Sequence, residues 1–352
     1  MKKLMILLGI ILSIVLLGII GTVLMFWDEI SIIRSITRLG GEQAFYVMDF
    51  KDGYHLDEML EEDISSDGEM AGVLAGYISH GFYKAERETK THIGCSTLTC
   101  MDDEGNMIWG RNFDWYDSVP IIVRATPKDG YASIATCEFA NITGDSSRVP
   151  GDLASDFLAV ASYYVPMDGV NEKGLSVAIL EVNEGGQTIV DTDKKNITVT
   201  MAVRMLLDKA ASVDEAIALL QNYDICPTGG ISSHLSISDR TGRAVAVEFM
   251  DGDIKVVETP YVTNFNLYNG DITAGGVSPM RRYNLLKERY DVANGVMNVQ
   301  QMKEAMETVS QKAGKWKTRW SVIYENSSEL KATYFWNAHF EQGYVIGIHE
   351  KY

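Results

Sequence analysis

Leu4 to Trp27 is a single run without a charged residue, preceded by Met1-Lys2-Lys3 and followed by Asp28 and Glu29. A helix needs about 20 residues to cross a hydrocarbon core, so the run predicts a membrane span over residues 1–27. Its length and the lack of an A-x-A-like site after it argue for a retained anchor over a removed leader. With Lys2 and Lys3 kept inside, the rest of the chain is expected outside the cytoplasm.

The pattern then changes twice. Residues 28–94 read as a separate helical segment, acidic over His55–Glu69 and apolar over Met70–Phe82. Leu74, Ile78 and Phe82 recur at helical spacing and predict packing against the chain beyond residue 94. The charge-rich Lys84–Lys90 reads as an exposed connection into His92-Ile93-Gly94-Cys95. From Cys95 onward strand-like runs dominate: 95–101, 107–114, 121–126, 132–139, 159–164 and 175–182, bounded by Gly, Pro, Asp and Asn clusters. Helices are predicted at 198–211 and 213–222, the second opened by Ser212 with Glu215 three residues on. Strands resume at 235–238, 244–249, 254–258 and 262–264. A helix opens near Ser278 and another covers 299–310, before strands at 319–324, 330–336 and 343–349. Meanders flanked by helical pairs mean an α+β fold.

Composition narrows the function classes. The 352 residues are 46% apolar, enough for a sizeable core. A net charge of −17 argues against nucleic-acid binding, which needs a basic face. Four cysteines (Cys95, Cys100, Cys137, Cys226) make no disulfide framework, and neither they nor the six scattered histidines show a metal-site spacing. No metal and no cofactor are expected. The composition neither requires nor forbids a homo-oligomer.

The densest chemistry lies at 94–115. Strand-like runs on either side of the Asp102–Asn106 turn form a hairpin that returns Arg111 and Asp114 towards Cys95. A guanidinium lowers the pKa of a nearby thiol, and a carboxylate can orient an amine, so the three residue types together make an activated nucleophile.

This stretch, Cys95 followed by the Asp-Asp-Glu-Gly-Asn turn and Gly110-Arg111-Asn112-Phe113-Asp114-Trp115, resembles the start of the mature chain in the choloylglycine hydrolase and penicillin V acylase group. It is also similar to the acid ceramidase and N-acylethanolamine acid amidase branch. These are N-terminal nucleophile (Ntn) hydrolases of linear amides. Arg111 and Asp114, sixteen and nineteen residues after Cys95, match the family's spacing without a gap. Pro127-Lys128-Asp129-Gly130 and Asn171-Glu172-Lys173-Gly174-Leu175 also resemble the group. Thr263-Asn264-Phe265 resembles its oxyanion motif, in which Asn264 would donate its amide. Ser278-Pro279-Met280-Arg281-Arg282-Tyr283 is similar to its Ser-x-x-Arg-aromatic segment, favouring Arg282 over Arg281. Glu181 stands where the bile-salt enzymes carry an oxyanion-hole Asn, a departure closer to the ceramidase branch.

The resemblance covers roughly 95–349 and is densest at 95–130. It implies a four-layer αββα sandwich of two antiparallel sheets over 95–352, with 28–94 removed or separated by self-cleavage between Gly94 and Cys95. The freed α-amine, with a reference pKa of about 8, would then serve Cys95 as its base. Catalytic roles fall to Cys95, Arg111, Asp114, Asn264 and Arg282, and substrate contacts to Glu181 and Trp115. The expected function is a membrane-anchored, extracytoplasmic cysteine amidase acting on a small N-acyl amide. An acyltransferase with the same nucleophile and a non-catalytic surface binding protein on the same scaffold are the alternatives.

Overall fold

The computed structural model describes residues 2–41, 44–51, 54–83, 94–116, 119–182, 192–250, 252–268, 277–314, 316–326 and 329–350. The Lys84–Lys90 connection and His92-Ile93 lie outside the described residues. The chain opens with helices α1 (Lys2–Met25) and α2 (Trp27–Ser35), strands β1 (Thr37–Leu39) and β2 (Phe45–Lys51), and helices α3 (Leu56–Glu61) and α4 (Asp67–Ile78). Strands β3 (Gly94–Met101), β4 (Met107–Trp115), β5 (Pro120–Thr126) and β6 (Ser133–Glu138) come after them, then α5 (Phe139–Thr143) and α6 (Leu153–Ala159). Next come β7 (Pro166–Asn171), β8 (Ser176–Glu181), β9 (Lys195–Thr198), α7 (Val199–Lys209), α8 (Val213–Leu220) and β10 (Tyr223–Cys226). Four more strands run β11 (Ser233–Ser238), β12 (Ala244–Met250), β13 (Asp253–Glu258) and β14 (Tyr261–Val262). Helices α9 (Val277–Val292) and α10 (Val299–Val309) precede β15 (Lys317–Asn326), β16 (Leu330–Trp336) and β17 (Tyr344–Gly347).

Two sheets stack face to face. A nine-stranded sheet has the order β1-β2-β5-β6-β7-β8-β11-β12-β13, and a six-stranded sheet the order β14-β3-β4-β15-β16-β17. α7 covers β7 and β8 from outside; α10, with α9 beside it, covers β4 and β15 on the opposite side. The result is helix, sheet, sheet, helix. Central strands therefore lose alternation: every residue of β4 is buried, one face on the opposite sheet and one on α10. Gly110 makes that second contact close, since a Cβ there would lie 2.5 Å from the Met302 sulfur. Helix starts are set locally. Ser212 Oγ accepts from the Glu215 amide at 3.3 Å, and Asn298 and Gln301 close a capping box on α10.

Four expectations are corrected. Residues 159–164 are not a strand: Asp152 accepts hydrogen bonds from the Ala154 and Ser155 amides and starts α6, which tightens into a 3₁₀ turn over Val160–Tyr164. The 28–94 segment is not purely helical. It supplies β1 and β2, and β2 pairs parallel to β5 from Tyr46↔Ile121 to Lys51↔Thr126, so the large sheet is not wholly antiparallel. Phe45, Val47, Met48 and Phe50 sit in the same core as Ile121, Val123 and Val177, which is why their apolar run is a strand buried on both faces. Of the three α4 positions, Leu74 and Ile78 are buried, while Phe82 lies past the helix end and is 79% exposed.

α1 is a continuous helix whose described side chains are almost all exposed. Among the described residues no single helix is long and apolar enough to cross a membrane. Ile10–Met25 and Trp27–Ser35 meet that test only as a pair, bent by 64°.

Because β2 is structural, Phe45→Ala in the full-length chain should destabilise the fold by about 3–5 kcal/mol, whereas Val292→Ala on the exposed end of α9 should stay within about 0.5 kcal/mol. Urea unfolding midpoints compare the two. Equal, small losses would mean that the 28–83 region is not part of the cooperative core.

Candidate active site

β3 and β4 pair antiparallel with Gly94 opposite Asp114, Cys95 opposite Phe113 and Thr97 opposite Arg111. Side chains alternate across a strand, so Cys95, Thr97, Arg111 and Phe113 share the face towards the nine-stranded sheet, while Gly94, Ser96, Asn112 and Asp114 share the face towards α10. Cross-sheet and helix contacts agree: Thr97 Oγ1 donates to Ser236 Oγ at 2.9 Å, and Asn112 Nδ2 donates to the Met306 carbonyl at 2.8 Å. The hairpin thus brings the expected residues together in two halves. The guanidinium addresses the thiol from one side, and the carboxylate lies on the other side of the strand beside the backbone of residues 94 and 95. Cys100 falls on the outer face with Met302 and Met306, away from Arg111.

Arg111 is fully buried and spans the two sheets. Its Nη2 donates to Cys95 Sγ at 3.2 Å and to the Ile179 carbonyl at 3.2 Å, and Nη1 donates to the Met167 carbonyl at 2.6 Å. Its Nε lies 3.0 Å from Asp168 Oδ2. Burial pushes the Cys95 thiol up to about 12; Arg111 pulls against this, Asp114 adds to it, and Arg282 and Asp168 act in turn as their charges dictate. With Cys95 still inside the chain, the thiol is therefore protonated at neutral pH.

Two further expected residues, Asn264 and Arg282, meet at the Cys95 backbone. The Cys95 amide donates to Asn264 Oδ1 at 2.7 Å. Arg282, in the first turns of α9, donates through Nη1 to the Cys95 carbonyl and to Ser96 Oγ at 2.7 Å, and through Nη2 to Asn264 Oδ1 at 2.8 Å. Burial pulls the Arg282 pKa down, opposed by Asp114. Arg281 is exposed. Since Oδ1 of Asn264 faces these donors, its Nδ2 points away and donates to the Glu181 carbonyl at 2.9 Å. The position at Glu181 thus enters the site through its backbone, at the end of β8. Trp115 shares the Cys95 face of β4 but stacks on Phe113, with ring centroids 5.6 Å apart, and meets Tyr116 at a tilt. Gly94 lies so close to Asp114 that a Cβ on it would be 3.0 Å from that residue's Cβ and Oδ2.

Several residues here carried no signal in the sequence. Asp168 pairs with Arg111 and accepts from Trp320 Nε1 at 3.0 Å, and burial raises its pKa. Thr318 Oγ1 and Gln311 Nε2 hold the two oxygens of Asp114, at 2.6 and 2.5 Å. His234 and Glu248 pin the 263–268 segment that carries Asn264. His234 Nε2 lies 3.0 Å from the Thr263 carbonyl, and Glu248 accepts from the Leu267 and Tyr268 amides. Burial pushes the Glu248 pKa up, but His234 and these amides outweigh it and leave it lowered. These partners come together from separate strands and loops, so only the three-dimensional register reveals them. Among the described residues no group of three or more His, Cys, Asp or Glu side chains could hold a metal ion.

The fold is similar to that of a mutant conjugated bile acid hydrolase from Clostridium perfringens, with a TM-score of 0.55 and 17% identity over 73% of this chain and 93% of that one. Penicillin V acylase from Agrobacterium tumefaciens gives a TM-score of 0.52 and 16% identity, covering 71% of this chain and 84% of that chain. A penicillin V acylase from Pectobacterium atrosepticum is 29% identical over 159 residues. That alignment takes in 41% of this chain and spans only 41% of the relative's length. The model of the linear amide C-N hydrolases, choloylglycine hydrolase family, matches residues 95–274 and so begins on Cys95 itself. Half of the chain, starting at the residue that Arg111 and Asn264 hold, fits that model, and the chain belongs to the choloylglycine hydrolase family of linear amide C-N hydrolases.

Proposed function

We propose that the chain is a cysteine Ntn amidase that hydrolyses a linear amide of a small N-acylated molecule through an acyl-enzyme on Cys95. The contact of Arg111 Nη2 with Cys95 Sγ, at 3.2 Å in a dry site, is the observation that carries this reading. A fixed guanidinium favours the thiolate over the thiol.

The reaction begins with the chain itself. Cys95 Sγ attacks the Gly94 carbonyl carbon, the Cys95 nitrogen leaves with the thiol proton, and the Gly94 acyl group rests on sulfur as a thioester. Water then releases a Gly94 carboxylic acid and a free thiol. The new α-amine takes over as base. It accepts the thiol proton, the thiolate adds to the substrate's amide carbonyl, and the amine hands that proton to the leaving nitrogen. Water repeats the sequence to free the acid. Donors near the reacting carbonyl offset the developing oxyanion charge; Asn264 is neutral and lies at the Cys95 nitrogen, and its Nδ2, which donates to the Glu181 carbonyl in the uncut chain, would have to turn towards the substrate to serve.

An apolar acyl group suits the surroundings. A cavity of about 520 Å³ lies between α4 and α6, walled by Met70, Leu74, Ile78, Phe157 and Leu158. Asn141, also in its wall, donates to the sulfur of Met167, whose carbonyl holds Arg111. The exposed apolar side chains of α1, with Leu12, Leu17 and Leu24 all at least 67% exposed, support an anchor that leaves the catalytic part outside the cytoplasm.

Active protein should begin at Cys95, and intact mass with N-terminal sequencing reads this directly. Cys95→Ala should remain a single chain, and a fully active wild-type protein with Gly94 still joined to Cys95 would sink the Ntn reading. Because the buried thiol is raised to about 12, self-cleavage should accelerate as pH rises, each unit adding thiolate, when precursor is tracked between about pH 6 and about pH 9. A flat or falling profile would count against attack by this thiol.

Arg111→Lys should lower kcat/KM for N-acyl amino acids, conjugated bile acids, N-acylethanolamines or penicillin V at least about tenfold, since a point ammonium cannot hold the sulfur, two carbonyls and a carboxylate together. Wild-type rates in Arg111→Lys would leave the residue with packing alone. The full-length protein should stay in the membrane pellet through an alkaline carbonate wash and lose that behaviour when residues 2–25 are deleted. Release of the intact chain by the wash would overturn the anchor.

A further inference from the structure

Asp114 is a fully buried carboxylate whose ion pair with Arg282 is long, Nη1 standing 3.8 Å from Oδ2. Such a group needs hydrogen bonds to remain buried, and it takes them from the loop after α10 and from the start of β15. Gln311 Nε2 donates to Oδ2 at 2.5 Å and Thr318 Oγ1 to Oδ1 at 2.6 Å. The two donors are themselves locked together. The Gln311 amide donates to Thr318 Oγ1 at 2.7 Å, and the Thr318 amide donates to the Gln311 carbonyl at 2.9 Å. A hydroxyl has one proton, so with an N–H already at its oxygen Thr318 must point that proton at Asp114. β15 is built for this: its pairing with β4 slips by one residue between Thr318 and Trp320, a bulge that turns the Thr318 side chain back onto Asp114.

The same loop borders the proposed cleavage point. A Cβ on residue 94 would lie 3.1 Å from Gln311 Nε2 as well as 3.0 Å from Asp114 Oδ2. We propose that Gln311 and Thr318 are positioning residues that hold the Asp114 carboxylate beside the Cys95 nitrogen, and that Gln311 with Asp114 restricts residue 94 to glycine. The assignment rests on the Ntn reading. In the intact chain the two donors fix the carboxylate against the bond to be cut, and in the cut chain they fix it against the new amine, so both reactions depend on them.

The test uses the full-length chain and measures precursor loss and turnover separately. Thr318→Val keeps the shape and loses the proton, and Gln311→Met keeps the length and loses the donor. Each should slow self-cleavage and lower kcat by roughly 10- to 100-fold with KM little changed, the size expected for one charge-assisted hydrogen bond. Thr318→Ser, which restores the proton, should recover both rates to within about threefold. Gly94→Ala should slow cleavage at least about tenfold. Unfolding midpoints accompany each variant, and Gln311→Asn, too short to reach but still polar, replaces Gln311→Met if the latter fails to fold. Wild-type rates in Thr318→Val and Gln311→Met, or a Thr318→Ser as slow as Thr318→Val, would overturn the positioning role while wild-type cleavage stays intact. Cleavage of Gly94→Ala at the wild-type rate would overturn the restriction at residue 94. A wild-type chain that is never cut would bring down the Ntn reading and this assignment together.

Discussion

One buried cation holds the site and the sandwich together. Arg111 leaves the six-stranded sheet on β4 and ends among carbonyls of β7 and β8 in the nine-stranded sheet. A charge removed from water is costly unless it is paired and hydrogen-bonded, and here Asp168 neutralises it while two carbonyls and a sulfur take its protons. Asp168 is in turn held by Trp320 from β15. The Cys95 thiol therefore touches a group whose position is set by four strands in two sheets. A shift of either sheet would leave the guanidinium under-bonded in an apolar interior, so the geometry around Cys95 is rigid for the same reason that it is expensive.

Local signals in the sequence were legible where chemistry and spacing coincide. The β3–β4 hairpin is dictated by its acidic Gly-containing turn, and the register it imposes brings Arg111 to the thiol. Arg282 and Asn264 were found through motif likeness, and the structure brings both to the Cys95 backbone. What the sequence could not convey was direction. Asp114 sits three residues from Arg111 and so must face the opposite side of the strand. Asn264 turns its oxygen, not its nitrogen, towards Cys95, because Arg282 donates to that oxygen.

Other features were hidden because they are non-local. Nothing near Asp168, Gln311 or His234 marks them, since their partners lie elsewhere in the chain, 29 residues on for Thr263 and more than fifty residues away for the partners of Asp168 and Gln311. The 159–164 run has strand-like composition, but the Asp152 cap commits it to a helix before its β propensity can act. Likewise, Phe45–Lys51 lies in a segment whose charged helices dominate its reading, and it is the edge of β5, more than seventy residues on, that ties it into the large sheet.

The parallel pairing of β2 with β5 has a consequence for the lifetime of the protein. While the chain is continuous, β2 returns to its slot as part of one molecule, and unfolding can be reversed by a single chain. Under the proposed cut before Cys95, the same slot would have to be refilled by a separate polypeptide at whatever concentration prevails. Refolding would then be a second-order process, the apparent melting temperature would depend on protein concentration, and each complete unfolding event would be close to terminal in dilute solution. A protein cut in this way would persist by the height of its unfolding barrier, with Phe45 and Phe50 in the common core as part of what raises it.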